Sequence, residues 1–420
     1  MFDRAYRQRL ETDLARWEAD GVITPAVLTA IRAALPPLAP GINIAVVVAI
    51  VGGLLIAAAF LAFVAAHWTE IARLLRLAML FAGILVAHGF GGWFARSGQP
   101  VLADLSAAVG AIIFGAAIAL VGQMYHLGGD FAGGMLLWAM GALAAAALTN
   151  SRGALAVALA AATIWSWMRT FETGELHVAF PAFWLVAGGL ALAWHSRAAA
   201  HLVTVAALPW WISCAFQAHL DFRPSFALAN GAALLFGGGL ALAASSRPRA
   251  NQAGSVLCTY GAFSQAGVAI MEAVMANEVF RLRVGFTSQS PWIIACGAAG
   301  VILGFAAVAA TRRAGTAFAA IAIGLVLAAT AWWTPRQTGD PWLAYAALLC
   351  AMLSLVVSGM LDAARPRIVA GWLGIAGVIA AITWAVKGSL LKRSIFLATS
   401  GIVAVVLASG LNRFVPRSRE

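Results

Sequence analysis

The sequence predicts an all-α protein, a polytopic transmembrane helical bundle of about 14 spans with a short N-terminal cytosolic helical hairpin. Of its 420 residues, 62% are apolar and only 10% are charged, whereas soluble domains carry roughly 25% charged residues. A soluble chain of this size could not bury so much apolar surface. Apolar runs near 20 residues, the length that crosses a hydrocarbon core of about 30 Å, also recur along the chain.

The net charge of +11 predicts membrane lipids as partners, because anionic headgroups attract basic loops. There is no basic stripe with interleaved aromatic residues, so nucleic acid is not expected as a partner. The four cysteines lie singly in separate apolar runs, a spacing that indicates neither a zinc site nor a disulfide framework. The sequence shows no catalytic Ser-His-Asp set and no HExxH motif. We therefore expect no enzymatic activity, no cofactor and no metal.

Residues 1–38 predict a cytosolic helix–turn–helix hairpin. The first helix shows apolar residues at helical spacing, namely Leu10, Leu14 and Trp17. Gly21 ends it, and Thr24 followed by Pro25 is a typical N-cap and first-turn pair for a second helix. The hairpin is too small to hold a core of its own. One interpretation is a cytosolic cap or dimerising hairpin, and the other is a specific ligand-binding role.

The transmembrane helical domain is predicted over residues 39–420. Its apolar runs are separated by charged residues, prolines and glycines, and two of them, 153–168 and 180–195, are short for a span of about 20 residues. Small residues throughout the runs favour close helix packing in lipid. In order, the runs cover 42–66, 74–95, 101–124, 131–149, 153–168, 180–195, 199–216, 226–244, 253–275, 291–310, 315–333, 341–361, 367–386 and 394–412.

The basic residues of the loops predict orientation. With the N-terminus inside, 17 Lys and Arg residues lie on the inner side and 10 on the outer side, as the positive-inside rule requires. The last outer loop, 387–393, is basic and opposes this bias. Arginine greatly outnumbers lysine, as is common in GC-rich bacteria. We expect a multi-pass protein of the bacterial inner (plasma) membrane with both termini cytoplasmic.

The stretch 122–130 is unusually polar for its apolar surroundings, since it contains Gln123, Tyr125, His126 and Asp130. One interpretation is a capped turn in which Asp130 accepts hydrogen bonds at the start of the next helix. The other is a ligand site on the outer face. In that case basic residues of neighbouring loops complete a cationic, aromatic-lined pocket for phosphate or carboxylate groups, namely Arg73, Arg76 and Lys392.

Ionisable residues inside apolar spans are costly and usually functional or paired. Glu272 is the predicted proton carrier, although it could instead lie at the interface and pair with Arg281 or Arg283. Asp104 is expected to extend to the cytosolic headgroups. The segment 169–177 has carboxylates and a histidine, but a solvated loop is favoured there over a metal site.

Three stretches resemble the bacterial predicted membrane proteins of domain of unknown function 2157 (DUF2157). They are the hairpin with Trp17, Gly21 and Thr24, the step from His67-Trp68 to Arg73 and Arg76, and the segment 122–126. The DUF2157-like part covers roughly residues 1–200. The family often has Asn at the position of His67. The segment Lys392-Arg393-Ser394 is similar to a partner domain of longer relatives. The resemblance implies an inner-membrane protein and supplies no activity.

The sequence therefore leaves two functions open. The first is transport, flipping or sensing of an anionic or amphipathic small molecule or lipid at the outer leaflet. The second is a non-catalytic membrane scaffold or regulatory protein that recruits a cytosolic partner through residues 1–38.

Overall fold

The structure is a computed structural model that describes residues 2–34, 71–125, 129–174, 177–217, 224–276, 290–332 and 341–385, with isolated positions between 51 and 62. Every regular element in these ranges is a helix, in agreement with the predicted all-α class. The chain divides into two units, Met1–Ala62 and Phe63–Glu420.

The first unit holds two helices, α1 (Phe2–Ala19) and α2 (Pro25–Ala34). Gly21 has a φ of +68°, a left-handed conformation that costs glycine little and lets the chain reverse after α1. Leu14 and Leu28 are buried, one from each helix. The Arg32 side chain also donates to Glu11 across the pair at 3.1 Å.

The second unit contains twelve described helices. They are α3 (Arg73–Arg96), α4 (Pro100–Met124), α5 (Phe131–Thr149), α6 (Arg152–Thr173), α7 (Phe180–Ala193), α8 (Arg197–Gln217), α9 (Pro224–Ala243), α10 (Pro248–Met275), α11 (Ser290–Thr311), α12 (Ala314–Trp332), α13 (Pro341–Leu361) and α14 (Arg365–Ala385). Each coincides with one predicted apolar run.

Ten helices in the described ranges are long and apolar enough to cross a membrane. The two others are α7, which has only 14 residues, and α10, which is long but carries polar residues along its length. The predicted runs 42–66 and 394–412 lie outside the described residues, so the total of about 14 spans stays a prediction.

The run 153–168 is longer than expected, because α6 extends to Thr173 and has 22 residues. Its last turn contains Arg169, which pairs with Glu172 three residues later at 3.0 Å. Gly174 then ends the helix with a φ of +67°. The polar residues at 169–173 are therefore helical, and the loop predicted from residue 169 begins only after the helix.

Connections of two lengths alternate along α3–α14. Turns of two to four residues join α3 to α4, α5 to α6, α7 to α8, α9 to α10, α11 to α12 and α13 to α14. We name the side of the bundle that holds them the short-turn end. The five other connections have six to 14 residues and define the long-loop end. Four short turns use a left-handed non-glycine residue to stop a helix, namely Asn150, His195, Arg312 and Ala363.

Small residues let the helices of the second unit pack closely. Helices α4–α8 share one buried apolar cluster, and helices from α9 to α14 share a second, larger one. At Gly237 of α9, an added Cβ would lie 1.9 Å from the carbonyl oxygen of Gly300 in α11. The two backbones therefore touch directly, as is common in membrane helix pairs.

Candidate functional site

The main candidate site is a buried carboxyl group near the long-loop end. Glu272, in the last turns of α10, is 0% exposed. The hydroxyl of Ser225, also 0% exposed, donates a hydrogen bond to Glu272 Oε2 from the first turn of α9. The site therefore lies between two helices that pack along each other, inside the larger apolar cluster of the bundle.

Burial and hydrogen bonding act on this carboxyl group in opposite directions. Burial away from water disfavours the charged form of any carboxyl group. The Ser225 hydroxyl and the N-terminal turn of α9, whose backbone N–H groups carry partial positive charge, favour it. A buried, hydrogen-bonded carboxyl group of this kind is a candidate functional residue.

Further polar side chains lie in the same apolar interior. Tyr345 of α13 is 3% exposed and close enough to interact electrostatically with Glu272. Gln265 lies seven residues before Glu272, on the same face of α10. It is 0% exposed, and neither atom of its amide has a hydrogen-bond partner among the described residues. Buried amides of this kind usually bind water or a ligand.

The predicted outer cluster is only partly assembled. Asp130 caps α5, since the Gly133 N–H donates to its Oδ1 at 2.8 Å, as the capped-turn interpretation predicts. Both of its oxygens also accept from Arg169, at 3.0 and 3.2 Å. Asp130 is therefore engaged by Arg169, and no described contact joins it to Arg73 or Arg76.

The other predicted binding residues lie at the long-loop end with little contact to one another. Gln123 is exposed, and Tyr125, which ends α4, is 48% exposed. Arg73 is exposed at the start of α3, while Arg76 donates to the carbonyl oxygen of Ile71 at 2.7 Å. The two remaining predicted residues, His126 and Lys392, lie outside the described residues, as do Arg281 and Arg283.

Asp104 has a partner that its expected role did not include. Its Oδ1 accepts from the Ser151 hydroxyl at 2.5 Å and from the Gly153 N–H at 2.9 Å. Its second oxygen lies 3.7 Å from the Arg152 guanidinium. Instead of only reaching towards headgroups, Asp104 of α4 caps the first turn of α6 and fixes these two helices at the short-turn end.

His177 packs into the long-loop end. Its ring contacts the Trp165 ring edge to face, with 4.3 Å between the ring centres. Its carbonyl oxygen accepts a hydrogen bond from the Trp210 indole N–H at 3.1 Å. Burial and, to a smaller extent, the positive charge of Arg169 lower the pKa of His177. Its neutral ring thus helps to hold α6 and α8 together. The predicted loop carboxylate Glu175 lies outside the described residues.

A buried ion pair lies at the short-turn end, where the sequence indicated only a basic loop. Arg367, 9% exposed, donates to Asp362 at 2.7 Å and to the Ser358 hydroxyl at 3.1 Å. Its guanidinium also lies 5.8 Å from the centre of the Phe236 ring. The interaction joins α13, α14 and α9. The spacing of Ser358, Asp362 and Arg367 around a tight turn was the available signal.

These features define the class of the protein, a polytopic α-helical membrane protein with a buried ionisable site. A family model described as "Predicted membrane protein (DUF2157)" matches residues 15–155, about a third of the chain. The resemblance seen in the sequence is therefore confirmed over those residues. The match ends in the first turn of α6, so Glu272 lies beyond it. No curated protein and no solved structure matches the chain.

Proposed function

We propose that this protein is a proton-coupled membrane transporter of an anionic or amphipathic small molecule or lipid. The observation that carries the proposal is the fully buried carboxyl group of Glu272, hydrogen-bonded to Ser225 within the membrane bundle. Ionisable residues at such positions are expensive and typically belong to ion or substrate pathways. Transport of this kind involves no covalent chemistry, in line with the expectation that the chain is not an enzyme.

In the proposed cycle, Glu272 gains and loses one proton. When charged, it accepts the Ser225 hydrogen bond and faces the first turn of α9. When neutral, it is held less strongly by these groups, but it no longer carries a charge into the apolar interior. The two states favour different arrangements of α9 and α10, so substrate binding and protonation can be linked.

The substrate would first meet the long-loop end. Arg73, Gln123 and Tyr125 lie at this end, as Glu272 does. We propose that Arg73, Arg76 and Lys392 attract the anionic group there, with His126 beside them. Asp130 is assigned a supporting role instead, because Arg169 already occupies its carboxylate. With both termini in the bacterial cytoplasm, this end faces outwards across the inner membrane.

Infrared difference spectroscopy of the purified full chain in lipid, recorded during titration with acid, tests whether the carboxyl group of Glu272 exchanges a proton. The band of a protonated carboxyl group should appear as the pH falls, and it should be missing in Glu272→Gln. Glu172→Gln, which changes an exposed carboxylate at the same end, is the matched control and should retain the band. If Glu272→Gln leaves the spectrum unchanged, Glu272 does not exchange protons and the proposal fails.

Proteoliposomes with a trapped pH-sensitive dye test whether the protein lets protons cross the membrane. When the external medium is suddenly acidified, the internal pH should fall faster in vesicles with the native chain than in vesicles with Glu272→Gln. Ser225→Ala should give an intermediate rate, because it removes only the hydrogen bond to the carboxylate. Equal rates in all three preparations would contradict proton passage by way of Glu272 even if the carboxyl group titrates.

The scaffold function remains the second candidate, and one observation favours it. Apolar side chains of the α1–α2 unit are exposed, with Trp17 at 41%, Val22 at 70% and Val27 at 45%. Such side chains suit a protein partner. A deletion strain should not be complemented by a chain that lacks residues 1–38. Full complementation by that chain would contradict the scaffold function and leave transport as the better proposal.

A further inference from the structure

A lateral cleft opens beside α7 in the bundle. Helix α7 has 14 residues, a length of about 21 Å, whereas a bilayer core is about 30 Å thick. The adjoining α10 is twice as long, with 28 residues. Between the C-terminal half of α7 and the first turns of α10 lies a cavity of about 300 Å³.

Over most of its length the cavity is lined by apolar residues, and it opens at the surface of the bundle. Leu185, Leu192 and Leu242 line it and are also 64%, 46% and 40% exposed at the bundle surface. Gly189 lies on the same wall, and a Cβ atom added there would meet no atom within 4 Å. The cleft is therefore shaped to receive a hydrocarbon chain that enters sideways from the bilayer.

The short-turn end of the cleft is polar and cationic. Arg249, Gln252, His195 and Ser196 line this part. Arg249 makes no hydrogen bond or ion pair with any residue that the structure describes, and the lining contains no carboxylate. A guanidinium with free donors at the mouth of an apolar cleft is suited to a phosphate group.

A second cavity of about 630 Å³ adjoins the first and shares His195 and Ser196 with it. Its lining includes Arg152 and Arg197 and contains no carboxylate, although Arg152 also lies 3.7 Å from Asp104. An apolar cleft thus continues into a cationic recess. An apolar cleft followed by a cationic recess is complementary to a lipid, in which an acyl chain is joined to an anionic headgroup.

We propose that this cleft binds one anionic phospholipid, with an acyl chain along α7 and the phosphate on Arg249. The lateral opening favours a bilayer lipid over a solute that arrives from water. The site lies at the opposite end of α10 from Glu272, so it does not depend on proton exchange. The bound lipid would fill the space that the short α7 leaves in the bundle.

Native mass spectrometry of the full chain in detergent tests the proposal, with dioleoyl phosphatidylglycerol as the probe. One molecule should bind, and dioleoyl phosphatidylcholine should bind about tenfold more weakly. Arg249→Gln should weaken phosphatidylglycerol binding about tenfold, the value of one charge-assisted contact. Gly189→Leu should abolish binding, because the new side chain would fill part of the cleft from a position where its Cβ meets no atom within 4 Å.

Matched controls separate a built site from general attraction to basic loops. Arg247→Gln removes the same charge two residues away, outside the lining, and Gly89→Leu adds the same side chain at an exposed, open position of α3. Both should bind like the native chain. The proposal is overturned if Arg247→Gln and Arg249→Gln weaken binding equally, if Gly189→Leu binds normally, or if oleate binds in place of phosphatidylglycerol. Arg249 is exposed, so its variant tests the site even if Gly189→Leu does not fold.

Discussion

The buried ion pair of Arg367 and Asp362 predicts a large loss of stability when it is broken. Their side chains are 10% and 13% exposed and meet at 2.7 Å. In Arg367→Met, the carboxylate of Asp362 stays buried without its partner, and Ser358 loses a donor. Breaking a buried pair from one side costs about 3–5 kcal/mol. We expect a destabilisation of that size for Arg367→Met.

Replacing both partners should cost much less than replacing one. In Arg367→Met with Asp362→Leu, no buried charge is left, and apolar replacements of this kind are often close to neutral. The double variant should therefore recover most of the stability that Arg367→Met loses. The coupling between the two substitutions should be on the order of 2 kcal/mol or more.

Titration with SDS in mixed micelles, followed by circular dichroism, gives the free energy of unfolding for each variant. Arg365→Met is the matched control, because Arg365 lies two residues away on the same helix and is exposed. It should change the free energy of unfolding by less than about 1 kcal/mol. If Arg365→Met and Arg367→Met lose the same amount, or the double variant is less stable than either single one, the pair does not hold α13 and α14 together.

Three further predictions follow from contacts described above. Gly237→Val should prevent folding, because its Cβ would lie 1.9 Å from the carbonyl oxygen of Gly300. Gly238→Val should fold normally, because a Cβ there meets no atom within 4 Å. Size-exclusion chromatography compares the two variants. Asp130→Ala should cost about 0.5–2 kcal/mol in the SDS titration through loss of a helix cap, and an unchanged free energy of unfolding would contradict a stabilising cap. Because its pKa is lowered from 6.5, His177 binds a proton more readily in the unfolded chain. Stability should therefore fall as the pH drops below about 6.5 towards the lowered pKa, and an equally steep fall in His177→Gln would refute this cause.

Hydropathy and spacing predicted the helices well, because span length depends on local composition. They could not predict which side chains meet between helices. Arg169 reaches Asp130 across 39 residues of sequence, and Asp104 caps a helix that begins 48 residues later. Helices that are apolar all round give no signal for the face that each turns to its neighbour.

In the candidate site, too, the sequence indicated one residue but not the contacts around it. Glu272 was found from the sequence because it is a lone carboxylate in an apolar run. Its partner Ser225 was missed, since a single serine in a membrane helix carries no distinct signal. The cleft beside α7 was also missed, although a short apolar run followed by His195 and later by Arg249 was visible in the sequence.

The lengths of the connections at the two ends of the bundle determine at which end neighbouring helices can move apart. A turn of two to four residues spans at most about 7–14 Å, so it ties the ends of paired helices together, whereas six to 14 residues reach about 20–50 Å. Glu272 lies near the end with the longer connections. Any hinge-like separation of neighbouring helices that wets this carboxyl group therefore widens from that face, with the tight turns as its pivot.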